Sequence, residues 1–378
     1  MNFDFSEEQT MLRDSVARYL HDSYPFETRR AIADSATGMS PEQWQVFAEL
    51  GWLSVPFAQE YGGFGGGAVD TMLLMEQFGK GLVLEPYLAT VLLFGGLLQR
   101  SGNTALQGEY LPRIIAGECQ GAFAYLERQS RFELCDVATR AETGADGCRL
   151  SGEKVVVFNG ASADTLIVSA RTSGGQSDEQ GISLFLVPAD APGVRLTSFK
   201  QMDSQKLANI TFDQVAVAAG ARLGEEGQAM ALVHPVVRSA IVALSAEALG
   251  IMGQLNAKTL EYTKTRRQFG VQISSFQALQ HRMVETFMSY EQTKSLLYRT
   301  VCELEEGAAT ADATVHALKV MVDRAGKHVF GEAIQLHGGM GITDELDIGH
   351  YVKRLMMINT IFGSGGFHQA AYDALRYG

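Results

Sequence analysis

At 378 residues the chain can bury a large core divided over two or three domains, and its net charge of −12 argues against a nucleic-acid partner or an anionic membrane surface. An anionic small molecule stays open, because a few arginines and helix N-termini can bind phosphate on an acidic protein. No apolar run reads as membrane-spanning, since LVLEPYLATVLLFGGLL is interrupted by Glu85 and Pro86. The acidic opening MNFDFSEEQ predicts no secretory leader. Cys119, Cys135, Cys148 and Cys302 lack C-x-x-C spacing and read as reduced thiols of a cytoplasmic protein.

In chain order, Ser6-Glu7-Glu8-Gln9 forms a capping box that opens a helix to about Asp22, with Met11, Leu12, Val16 and Leu20 as its buried stripe. A second helix is predicted from Ser40-Pro41, with Trp44, Phe47, Leu50 and Leu53 at its apolar positions. The glycine run Tyr61–Gly67 is a turn, and no Lys-Ser or Lys-Thr pair follows it to make a nucleoside-triphosphate loop. Val69–Gly79 and Pro86–Ser101 are apolar on both faces and belong inside a bundle. Leu106–Gly117 makes a last short helix in this part.

At about Gln120 the pattern changes to short runs rich in Val, Ile, Leu, Phe and Thr, among them GAFAYLE, DTLIVSART, GISLFLVPA and ANITFDQVAV. They predict a small antiparallel barrel or sandwich, with Ser173–Asp178 as a mobile hairpin tip. Beyond Gly224 helical periodicity returns over Met230–Thr263, Ser275–Glu306, Ala309–Leu336, His350–Ile358 and Gly366–Leu375. Long helices with short connections imply an antiparallel four-helix bundle. The expected division is 1–119 all-helical, 120–223 β-barrel and 224–378 helical bundle, an α+β chain.

Two glycine-broken segments carry the chemistry. YTKTRRQFGVQISSFQALQHRMVE, from Tyr262, offers a guanidinium at Arg266, an amide at Gln268 and a ring at Phe269 beside the break at Gly270. Gln335-Leu336-His337-Gly338-Gly339 lies near the C-terminus. The first resembles the R-x-Q-F-G-x-x-I-x-x-F-Q segment of the acyl-CoA dehydrogenase family, and the second resembles its Q-x-x-G-G. Weaker similarity covers nearly the whole chain. The resemblance implies the family's three-part architecture and an FAD cofactor. It also implies an acyl-CoA substrate dehydrogenated between its α and β carbons, and an electron-transferring flavoprotein as acceptor.

Carried over residue by residue, the resemblance assigns FAD contacts to Arg266, Gln268, Phe269, Ile273, Phe276 and Gln277. Gln335, Gly338 and Gly339 would touch the adenine end across a subunit interface, so the functional unit is expected to be an oligomer. Ser151–Gly160 resembles G-E-K-x-W-I-T-N-G, with Val156 where tryptophan is usual and Phe158 where threonine or serine is usual. Tyr125, Leu126, Val157 and Phe158 are therefore placed at the flavin. Arg128-Gln129-Ser130-Arg131-Phe132 replaces the family's P-G-x-G-S-D, whose positions contact flavin or pantetheine.

The base is where this chain departs from the pattern. The usual glutamate of Y-E-G-T is replaced by Gly363 in Phe362-Gly363-Ser364-Gly365, and the alternative position on the first bundle helix falls near Ala240. Two turns further along, Glu247 lies in AIVALSAEALGIM, where a carboxylate is costly unless paired. It is either a functional acid or the partner of a buried base such as Arg238, although that spacing is too long for an i,i+4 pair. His337 and His368 are the other titratable groups near the expected site, and no metal cluster stands out. The GLVLEPYLATV and AEALG stretches resemble the divergent bacterial branch seen as small subunits of heteromeric dehydrogenases for bulky, dicarboxylic or steroid acyl groups. That resemblance implies either an active homo-oligomeric dehydrogenase or a base-deficient subunit of an α2β2 heterotetramer with a paralogous partner. A relative with altered flavin chemistry is the third possibility.

Overall fold

The computed structural model describes residues 4–144 and 147–377; residues 1–3, which open the stretch read for a leader, lie outside them. The first helices are α1 Glu7–Ser23, α2 Phe26–Asp34, α3 Pro41–Glu49 and α4 Ala68–Gly81. A π-helix, Tyr87–Gly95, runs directly into α5 Gly96–Arg100, and α6 spans Thr104–Ile115. The strands are β1 Gly121–Ala124, β2 Arg140–Gly144, β3 Gly147–Phe158, β4 Thr165–Arg171, β5 Ile182–Pro188, β6 Val194–Lys200, β7 Lys206–Ala218 and β8 Arg222–Leu223. Helix α7 Met230–Thr265 leads to a hairpin, β9 Arg267–Gln268 and β10 Val271–Gln272. Then come α8 Gln277–Glu305, α9 Ala311–His337, α10 Ile348–Ile358 and α11 Gly365–Tyr377. By contacts the chain divides into two compact units.

One unit comprises the chain up to Arg30, Gly67–Val83 and everything from Ile241 onward. Its first helix starts on the expected capping box: Ser6 Oγ accepts the Gln9 N–H while Gln9 Oε1 accepts the Ser6 N–H, both at 3.1 Å. Helices α4 and α7 meet backbone to backbone. A Cβ on Gly79 would stand 2.1 Å from the Glu247 carbonyl oxygen, and one on Gly250 would stand 2.0 Å from that of Glu76. Those glycines set the closeness of the crossing. Against α9 pack α8, α10 and α11, over a stripe that includes Leu318, Val322 and Val329. Among the described residues α7 is the one helix long and apolar enough to span a membrane by length and composition, which the reading of apolar runs did not pick out. Of that window 83 % is buried inside protein, as in a core helix.

The other unit comprises Ala31–Gly66 and Leu84–Ala240. Ser40 caps α3 through the Gln43 N–H, with Pro41 at the first helical position. The region predicted to continue as a helix after Pro86 takes the wider π form, a distinction that apolar periodicity does not signal. The sheet has eight strands, in the order β6-β7-β3-β2-β4-β5-β8 with β1 beside β4. It is not wholly antiparallel as expected: β1 pairs with β4 in parallel, as does one residue pair of β2. Strand β1 arrives from α6 and not through a tight hairpin, so nothing forces it antiparallel. Leu150, Leu166, Val168, Phe185, Ile210 and Phe212 share one apolar core beneath these strands. Residues 173–178, read as a mobile tip, are tied down. The buried Arg171 guanidinium donates to the carbonyls of Cys135, Gln176, Asp178 and Gln180.

Candidate functional site

Tyr262 and His337 bring the two glycine-broken segments together. Their rings stack at 4.4 Å between centroids and 27° between planes. His337 is fixed by its Nδ1, which donates to the Ala333 carbonyl at 2.8 Å, and burial lowers its pKa. From this joint α7 runs into the β9–β10 hairpin, whose two-residue turn, Phe269–Gly270, has φ of 54° and 84°. Two left-handed residues are what a tight antiparallel hairpin requires, and the break expected at Gly270 is this hairpin. Phe269, 91 % exposed, is carried out at its tip.

Around that tip, Arg266, Gln268, Phe276 and Gln277 are exposed and Ile273 is half-buried. Phe269 and Phe276 meet edge to face at 6.2 Å. Among the described residues neither Arg266 nor Arg267 has a carboxylate in ion-pair range; Arg267 donates only to the Gly270 carbonyl. Gln335 is exposed on the last turn of α9, and Gly338 and Gly339 have nothing within 4 Å of where a Cβ would stand. The result is an unneutralised guanidinium, an exposed ring and open glycine backbone on one surface. Such a surface suits a phosphate-bearing, planar ligand. Next to it, α8 turns Val284, Phe287 and Met288 outward, all more than half exposed. A cavity of about 510 Å³ between α7, α8 and α9 is lined by Leu260, Met283, Phe287 and Leu336 among others.

In the other unit the segments read as flavin-facing are built on a buried ion pair. Glu127 accepts from Lys154 Nζ at 2.7 Å and from the backbone N–H groups of Ala138 and Thr139. Burial alone would raise the Glu127 carboxyl; the Lys154 ammonium and these donors outweigh it and hold the pKa at about 2. Burial pushes Lys154 down to about 8. Lys154 also reaches the Tyr125 carbonyl, and the Leu126 carbonyl accepts the Val155 N–H at 2.8 Å. Tyr125 and Leu126 are thereby held half-buried at the end of β1, Tyr125 stacked on Phe123.

Because Glu127 has a folded pKa below its ordinary 4.5, its contribution is complete above that value and is lost as pH falls toward about 2. Urea unfolding followed over that window should show about 3 kcal/mol of acid-labile stability. A Glu127→Gln chain should lack that slope.

Strand β3 has an irregular register between Lys154 and Val157. Val156 sits there at φ 54° with its N–H on Asn209 Oδ1 at 3.1 Å. A β-branched residue in the left-handed region is strained, and here it is displayed half-exposed. Val157, read as a flavin contact, turns its side chain into the core beneath the strands instead. Phe158 is buried and lines a small cavity together with Asn159.

The corner at Phe362–Gly363 is filled. Phe362 has φ 57° and Gly363 φ 126°; a Cβ on Gly363 would lie 2.6 Å from the Phe367 ring and 2.7 Å from His368 Nε2. His368 is buried, with Nε2 3.0 Å from the Phe362 carbonyl and Nδ1 2.7 Å from His316 Nδ1. A carbonyl can only accept, so Nε2 carries the proton and His316 donates to Nδ1. Burial, with His316 and Lys319 nearby, pushes His368 down to about 3. Lys319, itself lowered to about 7 by burial, donates to the Ile358 carbonyl. Sequence reading missed His316 and Lys319, which lie on a different helix.

Glu247 is buried in a two-pronged pair with Arg354: Nε meets Oε1 and Nη2 meets Oε2, the latter at 2.8 Å. The partner is Arg354 of α10, not Arg238 as weighed from the sequence. The available signal was a basic residue inside the apolar run of α10, IGHYVKRLMMI.

Sequence models for the N-terminal, middle and C-terminal domains of acyl-CoA dehydrogenase match residues 6–118, 122–215 and 239–370. The chain is 28% identical over 359 residues to the "Probable acyl-CoA dehydrogenase YngJ" of Bacillus subtilis (strain 168), covering 92% of each. It superposes with a TM-score of 0.92 at 26% identity on the structure "PigA with FAD and proline", covering 99% of each chain. On a variant of a "Tcur3481-Tcur3483 steroid ACAD" the TM-score is 0.86 at 28% identity, covering 98% of this chain and 97% of that one. With all three of its parts matched in order and the fold shared over almost every residue, this chain belongs to the acyl-CoA dehydrogenase family.

Proposed function

We propose that this chain works, with FAD, in the α,β-dehydrogenation of an acyl-CoA thioester, as one subunit of an oligomer. The observation that carries the reading is the surface around the Tyr262–His337 stack. There an unneutralised Arg266, the exposed Phe269 and the open backbone of Gly338–Gly339 lie beside an outward apolar stripe of α8. One chain leaves these groups in solvent, and a second chain closing over them would bury both the stripe and a dinucleotide. In this reading Arg266 and Gln268 hold phosphate, Phe269, Phe276, Ile273 and Gln277 shape the wall, and Gln335 with the two glycines meets the adenine end. Tyr125, Leu126, Val156 and Phe158 cover the ring system. FAD, when bound, accepts the β-hydrogen as hydride.

A second observation favours a narrower form of this reading. Gly363 is walled in by Phe367 and His368, His368 is committed to a carbonyl, and Glu247 is neutralised by Arg354. At the places considered for a base, none is free to take the α-proton. We therefore read the chain as a base-deficient subunit that completes an enzyme with a paralogous partner, in fatty acid or steroid catabolism, with an electron-transferring flavoprotein as acceptor. The similarity to a structure named for two proteins, Tcur3481-Tcur3483, supports a heteromeric form.

Flavin content tests the reading. Purified Arg266→Ala should lose FAD on gel filtration, with binding weaker by about 10- to 100-fold, the value of a charge-assisted phosphate contact. Full retention of the flavin absorbance would remove the assignment. Co-expression with a paralogous dehydrogenase subunit should raise flavin content and activity together; full activity of the chain alone would exclude the base-deficient form.

A further inference from the structure

The cavity of about 510 Å³ between α7, α8 and α9 lies within one unit of the chain, and none of the side chains assigned above to FAD lines it. Small-molecule pockets occupy about 300–1,000 Å³, so its size is that of a ligand site. Leu260, Met283, Phe287, Val329 and Leu336 make its apolar wall. Most of its polar groups are already committed. The Thr259 and Thr286 hydroxyls donate to carbonyls of their own helices, and the Gln280 amide donates to the Ser274 carbonyl. Glu332, the one carboxylate on the wall, is paired with Arg282.

Two polar atoms are left over. Asn256 donates its amide N–H to the Thr286 carbonyl at 3.3 Å, and its carboxamide oxygen accepts nothing among the described residues. The Tyr290 hydroxyl likewise has no hydrogen-bond partner among them, and burial pushes its pKa up, so it keeps its proton. The Tyr290 ring lies against the backbone of α7, where a Cβ on Gly253 would stand 3.3 Å from the ring and 3.7 Å from the hydroxyl oxygen. Gly253 and Asn256 are one turn apart on α7, as Thr286 and Tyr290 are on α8, so both free atoms belong to one end of the cavity. Leu260 and Met283 lie a further turn along, toward the other end.

An unused acceptor beside an unused hydroxyl, with no net charge at hand, suits a neutral group that both donates and accepts. A ligand hydroxyl gives its proton to the Asn256 oxygen and accepts the Tyr290 proton. A carboxylate would set a second acceptor against the Asn256 oxygen, and an ammonium would leave the phenol proton unused. Each of those would also bury a charge without a counter-ion. We propose that this cavity binds a hydrocarbon alcohol, its apolar body between Leu260, Met283 and Leu336 and its hydroxyl on Asn256 and Tyr290. The mouth includes Val284 and Phe287 of the outward stripe of α8, so a second chain packed on that stripe closes the cavity over its occupant.

The test titrates the full-length protein, in its assembled form, with decan-1-ol in a calorimeter. The isomeric ether 1-methoxynonane, which only accepts, and decanoate, which is charged, are the comparisons. One decan-1-ol should saturate each chain and bind about 10-fold tighter than the ether or the carboxylate. Tyr290→Phe and Asn256→Leu should each weaken the alcohol about 5- to 10-fold and leave the ether unchanged. Ala333→Phe, which fills the cavity from α9, should abolish binding; if it does not fold, Tyr290→Phe decides, since it removes one oxygen and nothing else. Equal affinity for alcohol and ether, or uptake that survives Ala333→Phe, would mean partition onto apolar surface and overturns the site. No uptake by the assembled protein would mean that the second chain itself fills the cavity, which overturns it equally.

Discussion

Glu247→Gln should destabilise the unit containing the long helices by about 3–5 kcal/mol, because it removes the carboxylate charge that faces the buried Arg354 guanidinium. Both side chains are almost fully buried, and the pair is doubly hydrogen-bonded. The Glu247 carbonyl also abuts Gly79 on α4, so a shift at this point reaches a helix crossing with no slack. The double variant Glu247→Leu/Arg354→Met should recover most of the loss, since a hydrophobic pair of similar volume is commonly neutral or better than a buried ion pair. Urea unfolding of the three chains measures this. The double variant also separates two roles that a single substitution confuses. If the assembled enzyme keeps its activity with leucine at 247, Glu247 holds helices together and moves no proton. A stable double variant with activity abolished would assign it to catalysis.

Gly363→Glu, the substitution that writes the family's usual base back into this chain, should not create an active dehydrogenase and should cost about 3 kcal/mol of stability. The backbone at 363 has φ 126°, which side-chain-bearing residues avoid. The new Cβ would collide with Phe367 and with the His368 ring that secures the Phe362 carbonyl. Thermal unfolding and turnover of the purified variant, alone and with a partner subunit, check both parts. A stable, active Gly363→Glu chain would mean that the histidine-filled corner yields easily, and the base-deficient reading would then lose its main support.

The order helices, strands, helices was legible because each part writes its own period. The capping box at Ser6, the Ser40-Pro41 start and the long apolar repeats beyond Met230 all coincide with helix in the structure. Local signals said less where two conformations share one pattern. The π-helix reads like any apolar helix, the parallel placement of β1 depends on where α6 ends, and α2, with Arg29 buried against the Leu82 carbonyl and His350, was not read at all.

The candidate site divides in the same way. Arg266, Phe269 and Gly270 are neighbours in the chain, and a left-handed two-residue hairpin presents them together, so their residue types could be read directly. The composition of single stretches also determined the long helices, the glycine breaks and the absence of a carboxylate at 363. Pairings between distant residues were decided only in three dimensions: Glu247 with Arg354, His316 with His368, and Tyr262 with His337. Periodicity records which face of an element is apolar. Which polar group meets another across that face depends on how helices and strands pack, and no single stretch of sequence contains that information.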